Sequence, residues 1–272
     1  MIVRAAFAAV LLSTSLVFPA SAEPLQLGPF EPYAQGPYHA YAGMWALEQD
    51  DTLALGHKAV EGVDYDATIT LDKTTFPNQT AINWLVPPDL LKLTGVYGYL
   101  QLAYGNYHGS RVPEPVQPSQ VEAIDRLDVS LSYSFEGNDR FNILNELYLL
   151  ADPSDVESVL FEVGIFARSS DEMVRFFEDG EQIGTFVDEH GRNWQVAKRD
   201  SPQGGDFIML VPVNREDVQG DFDWVQIFSY LQEQGILRGD EWFTGIAVGV
   251  EPVAGAGQVH IEAFNVDYLP ES

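Results

Sequence analysis

Asn142-Ile143-Leu144-Asn145-Glu146-Leu147-Tyr148-Leu149-Leu150 shows most directly what kind of fold this chain takes. Nine residues without Gly or Pro, bounded by turn residues, have the length of one strand. Strand side chains alternate between faces, so Glu146, Tyr148 and Leu150 point one way and Ile143, Asn145, Leu147 and Leu149 the other. A carboxylate in the middle of so apolar a strand is costly unless it is paired or solvated in a groove. The plainer reading is a partly exposed Glu on an outer strand.

Outward from this stretch, similar runs recur with Gly, Asn and Asp turns between them: 67–71, 96–104, 127–135, 159–167, 183–187, 193–198, 207–211, 243–250 and 258–268. That spacing predicts an all-β fold, a β-sandwich of two mostly antiparallel sheets. One segment has helical spacing instead: Trp224, Ile227, Phe228 and Leu231, with Asp221 or Asp223 as cap and Gly235 as stop. One helix packed on a sandwich is therefore expected. Between Gly105 and Val121, Pro113, Pro115 and Pro118 predict a surface loop.

The first residues carry Arg4, an apolar run from Ala5 to Phe18 and an Ala-Ser-Ala site ending at Ala22. This predicts a signal peptide over 1–22, too short to span a bilayer, and hence a secreted chain, extracellular or periplasmic. Residues 23–41, rich in Pro, Gly and Tyr, read as an extended N-terminal segment, and 42–272 as one β-sandwich domain. The chain has no cysteine, which removes thiolate chemistry and disulfides. A net charge of −27 with only 14 Lys and Arg argues against nucleic acid, an anionic membrane or a polyuronate as partner, and leaves neutral ligands. No cofactor is implied, and a monomer is expected. The five histidines show no metal-ligand spacing and read as surface or turn residues, so no metal is expected.

A second carboxylate, Glu251, ends the strand Phe243–Val250. It shares a face with Gly245, Ala247 and Gly249, while Ile246, Val248 and Val250 share the other. That row of small residues leaves room for something to lie against the sheet. Asp128, Ser130, Ser132 and Ser134 likewise share one polar face, read as lining a groove. Tyr97, Tyr99 and Gln101 offer the aromatic and amide groups that sugar rings use, although aromatics at such positions more often fill a core.

Asn145-Glu146-Leu147-Tyr148-Leu149-Leu150 resembles the nucleophile strand of glycoside hydrolase family 12, and Val248-Gly249-Val250-Glu251-Pro252 resembles that family's Phe-Gly-Thr-Glu-Pro acid/base segment. Ile183-Gly184-Thr185-Phe186, Asn193-Trp194-Gln195-Val196 and the Trp224–Leu231 helix follow in the family's order. Met44-Trp45-Ala46 and Asn83-Trp84 resemble its cleft motifs more loosely. The resemblance implies a jelly-roll sandwich and endo-acting, retaining hydrolysis of a neutral β-1,4-glucan such as cellulose, mixed-linkage glucan or xyloglucan. It implies Glu146 as nucleophile and Glu251 as acid/base, with Trp45, Trp84, Tyr97 and Tyr148 as groove aromatics and Ser132 where the family has an Asp beside the nucleophile. Retaining chemistry needs two carboxyls about 5–5.5 Å apart. Without a working geometry, the same residues suit a non-catalytic glucan-binding jelly roll. A serine hydrolase lacks its Gly-x-Ser-x-Gly elbow here, and a lyase lacks basic residues.

Overall fold

The structure, a computed structural model, describes residues 23–45, 59–87 and 95–271. They form a sandwich of two sheets. The six-stranded sheet runs β1 (Leu25–Leu27), β4 (Asp66–Leu71), β5 (Thr80–Val86), β16 (Gly255–Pro270), β8 (Ile124–Gly137) and β14 (Gly220–Asp223). The ten-stranded sheet runs β11 (Glu181–Val187), β12 (Asn193–Asp200), β13 (Asp206–Pro212), β10 (Val159–Arg168), β9 (Phe141–Leu150), β15 (Trp242–Pro252), β6 (Tyr99–Gly105), β3 (Tyr38–Gly43) and β2 (Pro32–Gln35). A short β7 (Ser119–Gln120) is added beside β15. Pairing is antiparallel except for β10 with β13.

The stretch 142–150 lies in the middle strand of the larger sheet. All ten residues of β9 are buried, so both of its faces are covered. Phe141, Ile143, Leu147 and Leu149 enter the main core between the sheets. Leu144, Tyr148 and Leu150 belong to a second apolar cluster on the opposite face. That arrangement explains why an alternating pattern was blurred into a nearly continuous apolar run.

The expected helix is present as α2 (Trp224–Glu233). Asp223 caps it by accepting from the Gln226 amide, and Gly235, at φ 71°, follows its end. Trp224, Ile227, Phe228 and Leu231 are buried in the main core. A second helix corrects the expectation of one: α1 (Asp171–Glu178). Ser170 caps it and Asp171 and Glu172 suit its positive end. Met173 and Phe177 join the second cluster, so α1 covers part of the face that an open cleft would leave bare. The N-terminal stretch is likewise more than a lead-in, since it supplies β1, β2 and much of β3. Among the described residues no helix is long and apolar enough to cross a membrane.

Candidate active site

Three glutamates lie on the face of the ten-stranded sheet turned away from the main core. Alternation places Glu146 there with Leu144 and Tyr148. It places Glu162 with Gly164 and Phe166, and Glu251 with Gly249 and Ala247. Glu146 is 3% exposed and Glu162 8%, whereas Glu251 is half-buried.

Glu146 and Glu162 stand on neighbouring strands, Glu146 opposite Gly164 and Glu162 opposite Tyr148, and their carboxyls are hydrogen-bonded. Tyr107 donates its hydroxyl hydrogen to Glu146 Oε1. On the far side, Ser201 Oγ donates to Glu162 Oε2 at 2.5 Å. Two touching carboxyls in an apolar setting cannot both ionise at ordinary pH. Burial, reinforced by the charge of Glu162, pushes Glu146 well above the usual carboxylate range. Burial also raises Glu162, but the hydrogen bonds from Ser201 and Glu146 oppose it. The pair therefore shares one proton, with a hydroxyl donating to each carboxyl, Tyr107 to Glu146 and Ser201 to Glu162.

Glu251 is opposite Asn142, whereas Glu146 is opposite Ala247. The two glutamates share a face but not a row: four residues of strand, about 13 Å of rise, separate their positions. They do not occupy facing positions. Asn142 Nδ2 donates to Glu251 Oε2 at 3.0 Å. The same Asn142 accepts from the Ser170 amide at 2.8 Å, which ties this end of the site to the cap of α1. Burial raises the Glu251 carboxyl to about 7, and the charge of Glu162 adds to the rise, so the two glutamates lie within each other's field.

The row of small residues on β15 is filled by the protein's own aromatic residues. A Cβ on Gly249 would come within 2.5 Å of the Tyr99 ring, and one on Gly245 within 2.4 Å of the Tyr107 backbone nitrogen. Tyr99 crosses this track to donate to the Leu144 carbonyl at 2.9 Å. Tyr107 and His108 each pack against Tyr148, with centroids at 5.4 and 4.9 Å. The segment expected as a surface loop thus covers the carboxyl pair. Beside it, a groove of about 460 Å³ runs over β3 and β6, bordered by His39, Tyr41, Gln101, His108 and Arg111. His39, expected at the surface, is 5% exposed, and burial lowers its pKa to about 4.

Of the aromatic positions named from sequence, Tyr148 stands beside Glu146. Trp84 and Tyr97 do not: both are in the main core, Trp84 against Phe141 and Tyr97 donating to the Pro87 carbonyl. Trp45 is 36% exposed at the edge of the described residues. Ser132 is on β8 of the other sheet, and with Asp128, Ser130 and Ser134 it faces away from the core, so it cannot neighbour Glu146. The residue sequence reasoning missed is Glu162. Its signal was the one that singled out Glu146, a lone carboxylate inside the apolar run Val159-Leu160-Phe161-Glu162-Val163-Gly164-Ile165.

A jelly-roll sandwich with acidic residues on one sheet face is the class these observations define. Comparison with family models and with curated proteins finds no match. Solved structures do match over nearly the whole chain. A family 12 xyloglucanase from Bacillus licheniformis superposes at TM-score 0.70 with 15% identity, over 90% of this chain and 100% of that one. Endoglucanase 3 of Trichoderma harzianum gives 0.69 and 16%, over 92% and 100%. An endoglucanase of Rhodothermus marinus gives 0.65 and 15%, over 90% and 100%. The chain has the fold of glycoside hydrolase family 12.

Proposed function

We propose that this protein is an exported glycoside hydrolase that cleaves a neutral β-1,4-glucan internally and with retention of configuration. The observation that carries the reading is a cluster of three glutamates on one sheet face: Glu146 and Glu162 hydrogen-bonded as a pair, and Glu251 raised by burial to about 7. Carboxyls held in such different surroundings are what acid and nucleophile need in glycoside cleavage. Glu146, the position that the sequence resemblance gives to the nucleophile, attacks as the carboxylate that the Tyr107 hydroxyl favours, while Glu162, hydrogen-bonded to it, takes up the shared proton. Glu251 donates to the leaving oxygen and then accepts a proton from the incoming water. The groove over β3 and β6 receives the sugar chain, with Tyr41 and Gln101 as stacking and hydroxyl-binding groups.

Incubation with a panel of soluble β-glucans, reading new reducing ends, tests the hydrolysis, and proton NMR of the first product tests retention, which requires the β-anomer. Export predicts a mature chain starting at Glu23, read by N-terminal sequencing of secreted protein. A second reading, non-catalytic glucan binding, is favoured by the cover of Tyr107 over the pair and by the strand offset of Glu251. Saturable glucan binding without any reducing-end release would establish it.

A further inference from the structure

Resting on that reading, we propose that Asn142 is a positioning residue for the acid/base: anchored to the start of α1, it holds Oε2 of Glu251 and leaves Oε1 to carry the proton to the leaving oxygen. Asn142 on β9 and Glu251 on β15 are directly opposite, so their side chains leave the same face of the sheet with Cβ atoms about 5 Å apart. The register of β9 with β10 shifts between Phe166 and Arg168, and the chain turns into α1 just beyond. That turn brings the backbone amide of Ser170, the cap residue, onto Asn142. Asn142 is 1% exposed and Ser170 4%, so solvent competes for neither end of the amide.

Chemistry leaves this amide one orientation. A backbone N–H can only donate, so the Asn142 atom that meets Ser170 N at 2.8 Å is the carbonyl oxygen, Oδ1. The amide nitrogen is thereby turned to Glu251, where Nδ2 donates to Oε2 at 3.0 Å. Among the described residues no other group is hydrogen-bonded to the Glu251 carboxyl. With Oε2 engaged as acceptor, the proton stands on Oε1. Oε1 gives that proton to the leaving oxygen as the glycosidic bond breaks, and takes one from water as the sugar is released from the nucleophile. Between these steps Glu251 carries a full negative charge, and the Asn142 N–H stabilises that form against the rise that burial imposes. The ionisable groups that share its field are Glu162 on β10, Glu146 and Tyr148 on β9 and Tyr99 on β6; on α1, Glu172 is paired with Arg140 at 3.1 Å.

Asn142→Asp and Asn142→Ala test this together. Aspartate still accepts from Ser170, which keeps the anchor of α1, but offers Glu251 no N–H; alanine gives up both bonds. We expect kcat to fall about 10- to 100-fold in each variant with KM within a factor of about two, as for loss of an orienting group. The basic limb of the kcat/KM profile reports the acid, Glu251, and should move up from about 7. The shift is about one pH unit in Asn142→Ala, the size of one hydrogen bond to an ionised group, and larger in Asn142→Asp, where a like charge stands beside Glu251. A merely structural Asn142 would give losses that follow the unfolding midpoint, large for alanine and small for aspartate, with the limb in place. Carbon-13 NMR titration of the glutamate carboxyls, with Glu251→Gln as assignment control, reads the same shift without turnover. If the basic limb and the Glu251 titration stay in place in whichever variant folds, the proposal is overturned. If the wild type cleaves no glucan, the functional reading fails, and the titration still decides whether Asn142 holds Glu251.

Discussion

Replacing Glu251 with Gln should make the protein more stable at alkaline pH while removing its activity. Burial lifts this carboxyl from an ordinary 4.5 to about 7, so the folded state holds a proton that the unfolded chain releases earlier. For a carboxyl whose folded value is raised, the associated stability is fully present below 4.5, declines between 4.5 and about 7, and is gone above it. At about 1.4 kcal/mol per pH unit, the gap costs the ionised folded state up to about 3 kcal/mol, trimmed toward 2 kcal/mol by the partial exposure of Glu251. Glutamine has the same shape, can still accept from Asn142 Nδ2 through its amide oxygen, and never ionises. Thermal or urea unfolding at pH 4, 5.5, 7 and 8.5 should show no advantage for the variant at pH 4 and a gain that saturates above pH 7. In a chain of this size the gain corresponds to roughly 5–10 °C in Tm. The same variant should release almost no reducing ends, because the leaving oxygen stays unprotonated. A stability difference that does not vary with pH, or a variant less stable than wild type at pH 8.5, would refute the reasoning.

The remaining predictions concern the pair and its cover. Glu146→Gln should nearly abolish turnover with folding intact, whereas Glu162→Gln, which can still hydrogen-bond Glu146 and accept from Ser201, should retain more activity; equal losses in steady-state kinetics would count against the division of roles. Gly245→Ala would press a methyl into the Tyr107 nitrogen and the Tyr104 carbonyl, so it should destabilise by about 1–3 kcal/mol and lower kcat by displacing Tyr107. Unfolding midpoints and kcat measured together check this, and wild-type values for both would contradict it.

The alternation of β8 and β15, the Asp223 cap and the Gly235 stop were legible because strand and helix periodicities depend on local geometry alone. A lone carboxylate inside an apolar strand was legible for the same reason, since its cost does not depend on topology. Helix α1 was not read, because eight residues with an exposed charged face give too short a period to stand out. Which sheet a strand joins is not encoded in its own pattern. Ser132, Trp84 and Tyr97 each sit on a strand or segment whose neighbours come from distant parts of the chain, so pairing alone sent Ser132 to the outer face and the other two into the core. Register decided the chemistry. Pairing β9 with β10 set Glu146 against Glu162, and pairing β9 with β15 slid Glu251 four residues along. Local periodicity is enough to give a sandwich with costly carboxylates on its strands. Which of them share a proton depends on long-range pairing, because a buried carboxyl's charge is set by the groups that fold around it.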